Sequence, residues 1–313
     1  MSTNHAPSKR VIAIVGPTAV GKSALAIELA LLLDGEIISC DSMQIYRGMD
    51  IGTAKATREE RESVRHHLID ILEPDTDFSC ADYSTLAQDA INDIISRGKM
   101  PIFCGGTGLY LDSVLEIPSF TSTKRDDELR AKMEALALER GADAVHSLLM
   151  EVDPESAMTI HKNNVKRVIR ALEIYYTTGK KKSELDALSR TQPSPYDACV
   201  LFLCYRDKEL LYEKINSRVD KMIELGLLDE CRALWERGLL SNGSTASEAI
   251  GYKELIPYFE GRASLDECVE ELKLATRHYA KRQMTWFKRK SSYHTIYIDE
   301  ENALERAKEV LNL

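Results

Sequence analysis

An unbroken apolar stretch, Val11 to Val15, runs directly into Gly16-Pro17-Thr18-Ala19-Val20-Gly21-Lys22-Ser23, and helical spacing follows over residues 21–33. These eight residues fit G-x-x-x-x-G-K-[ST], and a strand before with a helix after is the context that gives the pattern meaning. Few features constrain a fold more. The glycines let backbone N–H groups turn toward phosphate oxygens, and the helix N-terminus adds its dipole. Lys22 brings a point charge and Ser23 a hydroxyl suited to Mg²⁺. The pattern marks a polyphosphate site. ATP is the commonest ligand of such a loop, but the pattern does not choose one.

Strand and helix keep alternating through the first part of the chain. Residues 36–40 and 100–104 read as strands, 67–72 as a weaker one, and 81–97 as a helix. Such alternation predicts a parallel sheet. After Pro118 the texture changes: 124–140, 143–151, 153–160, 165–177 and 180–189 all have helical spacing. Beyond it lie a strand at 198–205, helices at 207–225, 227–237, 247–258 and 264–290, a strand at 295–298 and a helix at 301–311. The expectation is an α/β fold: a P-loop NTPase-like parallel sheet core over 1–118, an all-helical insert domain over 119–197, and the rest of the core with C-terminal helices over 198–313.

The chain has 313 residues and a net charge of −9, which excludes a protein held to nucleic acid by bulk charge. Local runs differ. Residues 161–182 carry Lys162, Lys166, Arg167, Arg170, Lys180, Lys181 and Lys182 against the single acid Glu173. Residues 273–290 carry Lys273, Arg277, Lys281, Arg282, Lys288, Arg289 and Lys290 with no acid. Lys166 and Arg170 are one helical turn apart, as are the members of the ladder Lys273, Arg277 and Lys281, so each set shares a face. Most charge runs are merely solvated, but such faces can neutralise phosphates. The longest later apolar run, residues 198–204, is far below the ~20 residues of a membrane span. The seven scattered cysteines include no Cys-x-x-Cys pair. Free thiols and a cytoplasmic location are expected.

Two strand ends carry the remaining chemistry. The fourth strand ends Cys104-Gly105-Gly106-Thr107-Gly108, without the carboxylate that nucleoside triphosphatases usually use to hold Mg²⁺. The second ends Ser39-Cys40-Asp41-Ser42, so Asp41 stands at a carboxyl edge as a general base, a Mg²⁺ ligand, or simply a turn former. Gly106-x-Gly108 lacks the third glycine of a dinucleotide fingerprint. His66 and His67 have no partners at metal-ligand spacing and are read as structural. Trp286 and Phe287 are read as core.

The blocks Ile38-Ser39-Cys40-Asp41-Ser42-Met43-Gln44-Ile45-Tyr46-Arg47-Gly48-Met49-Asp50-Ile51-Gly52-Thr53-Ala54-Lys55, Gly105-Gly106-Thr107-Gly108-Leu109-Tyr110, Arg167-x-x-Arg170-Ala171-Leu172-Glu173, Ala249-Ile250-Gly251-Tyr252-Lys253 and Ala280-Lys281-Arg282-Gln283-x-Thr285-Trp286 run in order over nearly the whole chain. Together they resemble the tRNA dimethylallyltransferase (isopentenyltransferase) family. Two local departures, Ala56 and Arg65 where the family usually has proline, remove no chemical group. The resemblance implies that the loop Gly16–Ser23 binds the diphosphate of dimethylallyl diphosphate rather than ATP. The dimethylallyl group then goes to the exocyclic amine of the adenine 3′ of the anticodon. Asp41 is implied as general base, Thr107 as a contact to the reacting region, and Arg218 as a contact to the leaving diphosphate. Lys22 and Ser23 are implied to serve phosphate and Mg²⁺. Asp41, Ser42, Met43 and Gln44 are expected at the flipped base, Gln44 offering a donor and an acceptor that match an adenine edge. Arg130, Lys166, Arg167, Val168, Ile169, Arg170, Gly251, Tyr252, Lys253, Arg277, Lys281 and Arg282 are expected to meet the anticodon stem-loop. A monomer is expected. The alternatives are an adenylate dimethylallyltransferase acting on free nucleotides, a P-loop small-molecule kinase, and a non-catalytic tRNA-binding module.

Overall fold

The computed structural model describes residues 9–116, 126–191, 194–240 and 244–313. The chain divides into two compact units, one of residues 1–115 and 196–313 and the other of residues 116–195.

The first unit is built on six parallel strands among the described residues: β1 (Lys9–Val15), β2 (Gly35–Ser39), β3 (His66–His67), β4 (Met100–Gly105), β5 (Tyr196–Cys204) and β6 (His294–Tyr297), in the order β3-β2-β4-β1-β5-β6. Helices cover both faces, which is why β1 is apolar throughout instead of alternating. Val11, Ala13, Val15, Ile38, Phe103 and Phe202 pack on one face with Tyr83, Ile91 and Ile94 of the helix Cys80–Ser96. Ile12, Ile14, Ile37, Ile102, Leu201 and Leu203 pack on the other with Leu25 and Leu29 of the helix Lys22–Leu32. The chain moves to one side of β1 for β2 and β3 and to the other for β5 and β6. Ligands of open α/β sheets bind at such a reversal, at the carboxyl ends of the strands.

A third cluster joins Ile45, Tyr46 and Met49, in the loop after β2, to Val219, Leu227, Leu234, Tyr252 and Leu272 of the C-terminal segments. It fixes the path of the loop that follows Asp41.

Two local readings are corrected. The strand expected at 67–72 is only β3, with an isolated bridge from Tyr46 to Leu72, because Leu68 and Asp70 turn into the left-handed region at φ 60° and 56°. The helix expected at 247–258 breaks into the 3₁₀ turns Ala246–Glu248 and Lys253–Leu255 and the helix Ile256–Phe259, because Gly251 takes φ 105°. Two short helices went unread. Arg58–Ser63 buries no side chain and so shows no apolar period, although Thr57 and Glu60 form a capping box. Gly108–Leu115 is buried nearly all round and shows no polar face.

The second unit is all-helical among its described residues: Asp127–Arg140, Ala142–Val152, Pro154–Thr159, Val165–Thr178 and Lys182–Thr191. Its core includes Val145, Leu149, Val168, Ile169 and Leu172. This corrects the reading of Val168 and Ile169 as RNA-facing. They are 0% and 3% exposed, and their side chains form the inner stripe of their helix. Two carboxylates organise the unit from within. Asp153 accepts from the backbone N–H and hydroxyl of Ser156 and of Ser183. Glu173, 0% exposed, accepts from the Asp126 N–H at 2.9 Å, from Arg130 Nε and Nη2 at 2.8 Å each, and from Arg170.

No helix among the described residues is long and apolar enough to cross a membrane. All seven cysteines are free.

Candidate active site

The loop after β1 owes its path to Gly16. At φ 151°, a Cβ there would lie 2.2 Å from the Leu203 carbonyl oxygen of the neighbouring strand β5, so only glycine lets the chain turn so close to the sheet. Lys22 Nζ donates to the Pro17 carbonyl at 2.6 Å and so points back into the loop. Burial foremost, with the Arg218 charge, lowers its pKa to about 8 against the opposing effects of Cys104 and Asp41. A bound polyphosphate restores the charged form. Its affinity is therefore expected to fall as pH rises through about 8, with proton uptake on binding in that range. Calorimetry with inorganic diphosphate in buffers of different ionisation enthalpy reads the uptake, and the part due to this lysine vanishes in Lys22→Met.

Asp41 follows β2. Its Oδ1 accepts the Met43 N–H at 2.9 Å, so it does form a turn, and it also lines the central cavity. Thr107, after β4, donates its N–H to the Cys40 carbonyl at 3.0 Å, and its Oγ1 accepts the Ser42 N–H at 3.1 Å. It thus braces the Asp41 turn from the end of β4, the strand paired directly with β2. Arg218, which charge and spacing alone leave as an ordinary helix residue, lies half-buried in the helix Lys208–Glu224 and lines the cavity. Burial lowers its pKa and the Asp41 charge raises it.

That cavity, about 420 Å³, brings together Thr18 to Ser23 of the phosphate loop, Asp41 to Gln44, Arg218, Gly251, Lys253 and Arg282. Several expected contacts need correction. The Gln44 amide is occupied within the protein: its Oε1 accepts from Ser39 Oγ at 2.9 Å, and its Nε2 donates to the Thr53 and Ala54 carbonyls at 3.2 and 3.4 Å. It ties the loop together and has no free pair of groups for an adenine edge. Tyr252 is 0% exposed and donates its hydroxyl to Glu230 at 2.6 Å, so its ring faces the core and not RNA. In the presumed basic ladder, Lys273 pairs with Asp220 and Glu270, and Arg277 donates to Asn216 at 2.6 Å; Lys281 and Arg282 stay exposed. In the second unit, Arg130 and Arg170 are both engaged by Glu173, while Lys166 and Arg167 are exposed.

The helix Leu265–Phe287 contributes more than its charges. Thr276, Tyr279 and Gln283, which share one face, all line the cavity. Gln283, buried, accepts the Thr18 N–H and donates to the Gly106 carbonyl, each at 3.0 Å, and so joins the phosphate loop to the turn after β4. A Cβ on Gly106 would meet this amide at 2.0 Å. Tyr279 hydrogen-bonds Thr107; burial foremost, with the nearby Asp41 charge, raises its pKa and keeps the phenol neutral. Sequence reading missed Tyr279 and the bridging role of Gln283, although the 276, 279, 283 spacing was there to be read.

The chain is similar to known proteins over most of its length. The family model described as IPP transferase matches residues 44–290. The tRNA dimethylallyltransferase of Bacillus cereus (strain AH187) is 52% identical over 283 residues, covering 90% of this chain and 88% of that protein. The one from Caldanaerobacter subterraneus subsp. tengcongensis is 46% identical over 301 residues, covering 96% and 95%. Among solved structures, a tRNA delta(2)-isopentenylpyrophosphate transferase from Staphylococcus epidermidis matches with a TM-score of 0.71 at 43% identity, over 96% of this chain and 98% of that one. A eukaryotic dimethylallyltransferase acting on tRNA matches with a TM-score of 0.83 at 34% identity, over 97% of this chain and 79% of that one. With a phosphate loop, a strand-end aspartate and a lining arginine around one cavity, and with similarity of this extent, the chain belongs to the IPP transferase family.

Proposed function

We propose that the chain transfers the dimethylallyl group of dimethylallyl diphosphate to the exocyclic N6 amine of the adenine 3′ of the anticodon in tRNA, giving N6-isopentenyladenosine and diphosphate. The observation that carries this reading is that one cavity is lined at once by Lys22, Asp41 and Arg218. It can hold a diphosphate at one side and a carboxylate beside the acceptor at the other.

The adenine amine is a weak nucleophile because its lone pair is delocalised into the ring. Asp41 accepts its proton as the N–C bond forms, and the allylic C–O bond breaks. The charge that grows on the leaving diphosphate is met by Lys22, Arg218 and the loop amides. The Ser23 hydroxyl is a hard oxygen donor of the kind Mg²⁺ takes, and Mg²⁺ characteristically draws other ligands from phosphates and water. Held by Ser23, the ion would supply charge neutralisation to the diphosphate. The base must leave its stack to reach Asp41.

Lys166, Arg167, Lys281, Arg282, Lys288 and Arg289 are the exposed cations of the two basic runs best suited to the RNA backbone. Reversing Lys166 and Arg167 to Glu together is expected to weaken tRNA binding and lower its log–log salt slope by about two, with diphosphate binding unchanged. Titrations at several salt concentrations check this; an unchanged slope removes these residues from the interface. Work on tRNA points to the cytoplasm.

The test of the function itself supplies unmodified tRNA, free AMP and labelled dimethylallyl diphosphate together with Mg²⁺. Label in the anticodon-loop adenine of tRNA supports the proposal. Label in AMP alone, or none in tRNA, overturns it.

A further inference from the structure

We infer that Glu230, through Tyr252 and the backbone of residues 50–52, is the positioning residue for the acceptor side of the cavity. This rests on the function proposed above and assigns it a residue that lies outside every motif singled out in the sequence.

Glu230 stands on the helix Leu227–Glu236 and is not among the residues that line the cavity. Its carboxylate accepts three successive backbone N–H groups: Asp50 at 2.9 Å, Ile51 at 2.9 and 3.1 Å, and Gly52 at 3.0 Å. It also accepts the Tyr252 hydroxyl at 2.6 Å. Consecutive amides converging on one anion form a nest, and only a full negative charge satisfies all of them. Burial and the Glu230 charge keep the Tyr252 phenol a neutral donor.

Two cavity walls meet at this carboxylate. One is the loop in which Gly52, Thr53 and Ala54 line the cavity, and the other is the segment of Gly251 and Lys253. They are in tight register: a Cβ on Gly52 would lie 2.6 Å from the Tyr252 ring. From Thr53 and Ala54 the connection continues to Gln44, whose amide donates to both carbonyls, and so to the turn that carries Asp41. Lys55 pins the far end of the same loop, donating to the Tyr46 carbonyl at 2.8 Å, to Asp50 at 2.7 Å and to Asp70. The phosphate loop is held by different partners, Gln283 on Thr18 and the Pro17 carbonyl on Lys22. A change at Glu230 therefore moves the acceptor walls and leaves the diphosphate grip in place.

The experiment uses the full chain with tRNA and dimethylallyl diphosphate and compares Glu230→Gln, Tyr252→Phe and the double variant. Glutamine has one acceptor oxygen and turns an NH₂ toward donors, so the nest opens. Phenylalanine keeps the ring in its packing and removes only the hydroxyl bond. A displacement near 1 Å can cost ~10²-fold. The expected result is a fall in kcat/KM for tRNA of ~10- to 100-fold in Glu230→Gln, with a smaller fall in Tyr252→Phe and a double variant no worse than Glu230→Gln. The KM for dimethylallyl diphosphate is expected to stay at the wild-type value. KM values that rise together for both substrates, or tRNA kinetics unchanged in both single variants, overturn the inference. If Glu230→Gln does not fold, Tyr252→Phe alone decides between these outcomes by the same split. Failure of the parent function is distinct, since it shows as wild-type protein that leaves tRNA unlabelled.

Discussion

Asp41→Asn is expected to lower turnover ~10²–10⁴-fold, the range a positioned general base contributes, while both substrates still bind. The asparagine is chosen for its shape. Its Oδ1 can still accept the Met43 N–H, so the turn after β2 keeps its geometry and only the proton acceptor is lost. The hydrogen bonds that hold the phosphate loop run to Gln283 and Pro17, and a bound diphosphate replaces the negative charge that Asp41 presents to Lys22 and Arg218, so diphosphate affinity is expected to stay near that of the wild type. Single-turnover kinetics with labelled dimethylallyl diphosphate separate the chemical step from binding. Near-normal single-turnover rates in this variant remove Asp41 as the base, and tRNA binding lost together with turnover makes it an anchor instead.

The second large effect belongs to the helical unit. Glu173→Ala removes the acceptor shared by Arg130, Arg170 and the Asp126 N–H. Breaking a buried pair from one side costs ~3–5 kcal/mol, and the partial exposure of both guanidiniums puts the effect at the lower end. Burial alone raises the Glu173 pKa. The hydrogen bonds from Arg130, the Asp126 N–H and Arg170 outweigh it and hold the carboxyl down to about 2. Its folded pKa lies below its unfolded one. The stability it contributes is therefore complete above the ordinary glutamate range and is lost as pH falls from there through about 2. Thermal unfolding followed against pH should show a gap between wild type and variant that closes on acidification. Glu36, held down to about 2 chiefly by Arg97, falls in the same window in both proteins, so the difference isolates Glu173. A gap that persists at low pH shows that the loss came from packing and not from charge.

Glu173 also shows where reading charge along a chain stops. It looked like a single acid diluting a basic run, and instead it is the centre that holds Arg130 and Arg170. Lys166 and Arg170 share a face by spacing, yet one is exposed and the other is partly buried and tied to Glu173. Val168 and Ile169 lie in the same basic stretch but form the core. Counting charges gives the sign of a segment; it does not say which charges already have partners. The same limit applies to Gln44 and Tyr252. Their chemistry suits nucleic acid, but Ser39, Thr53, Ala54 and Glu230 reach them first.

Short-range patterns were read well because their causes are local. Residues 11–15 could only be a strand buried on both faces, and the glycine-spaced loop after them needs a backbone turn that a side chain at residue 16 would block. The strand expected at 67–72 failed because its left-handed residues, Leu68 and Asp70, carry no glycine to announce them.

By itself the sequence determined the parallel sheet, the phosphate loop, the strand-end placement of Asp41 and the helical character of residues 126–191, since each follows from periodicity, turn chemistry or local sterics. Only the tertiary structure decided that Arg218, Tyr279 and Gln283 meet Asp41 across one cavity, and that Glu230 ties two of its walls together. The meetings with Asp41 and the bonds from Glu230 to residues 50–52 join residues more than 150 positions apart. Such pairings are set by how helices pack on the sheet, and no spacing along the chain encodes them.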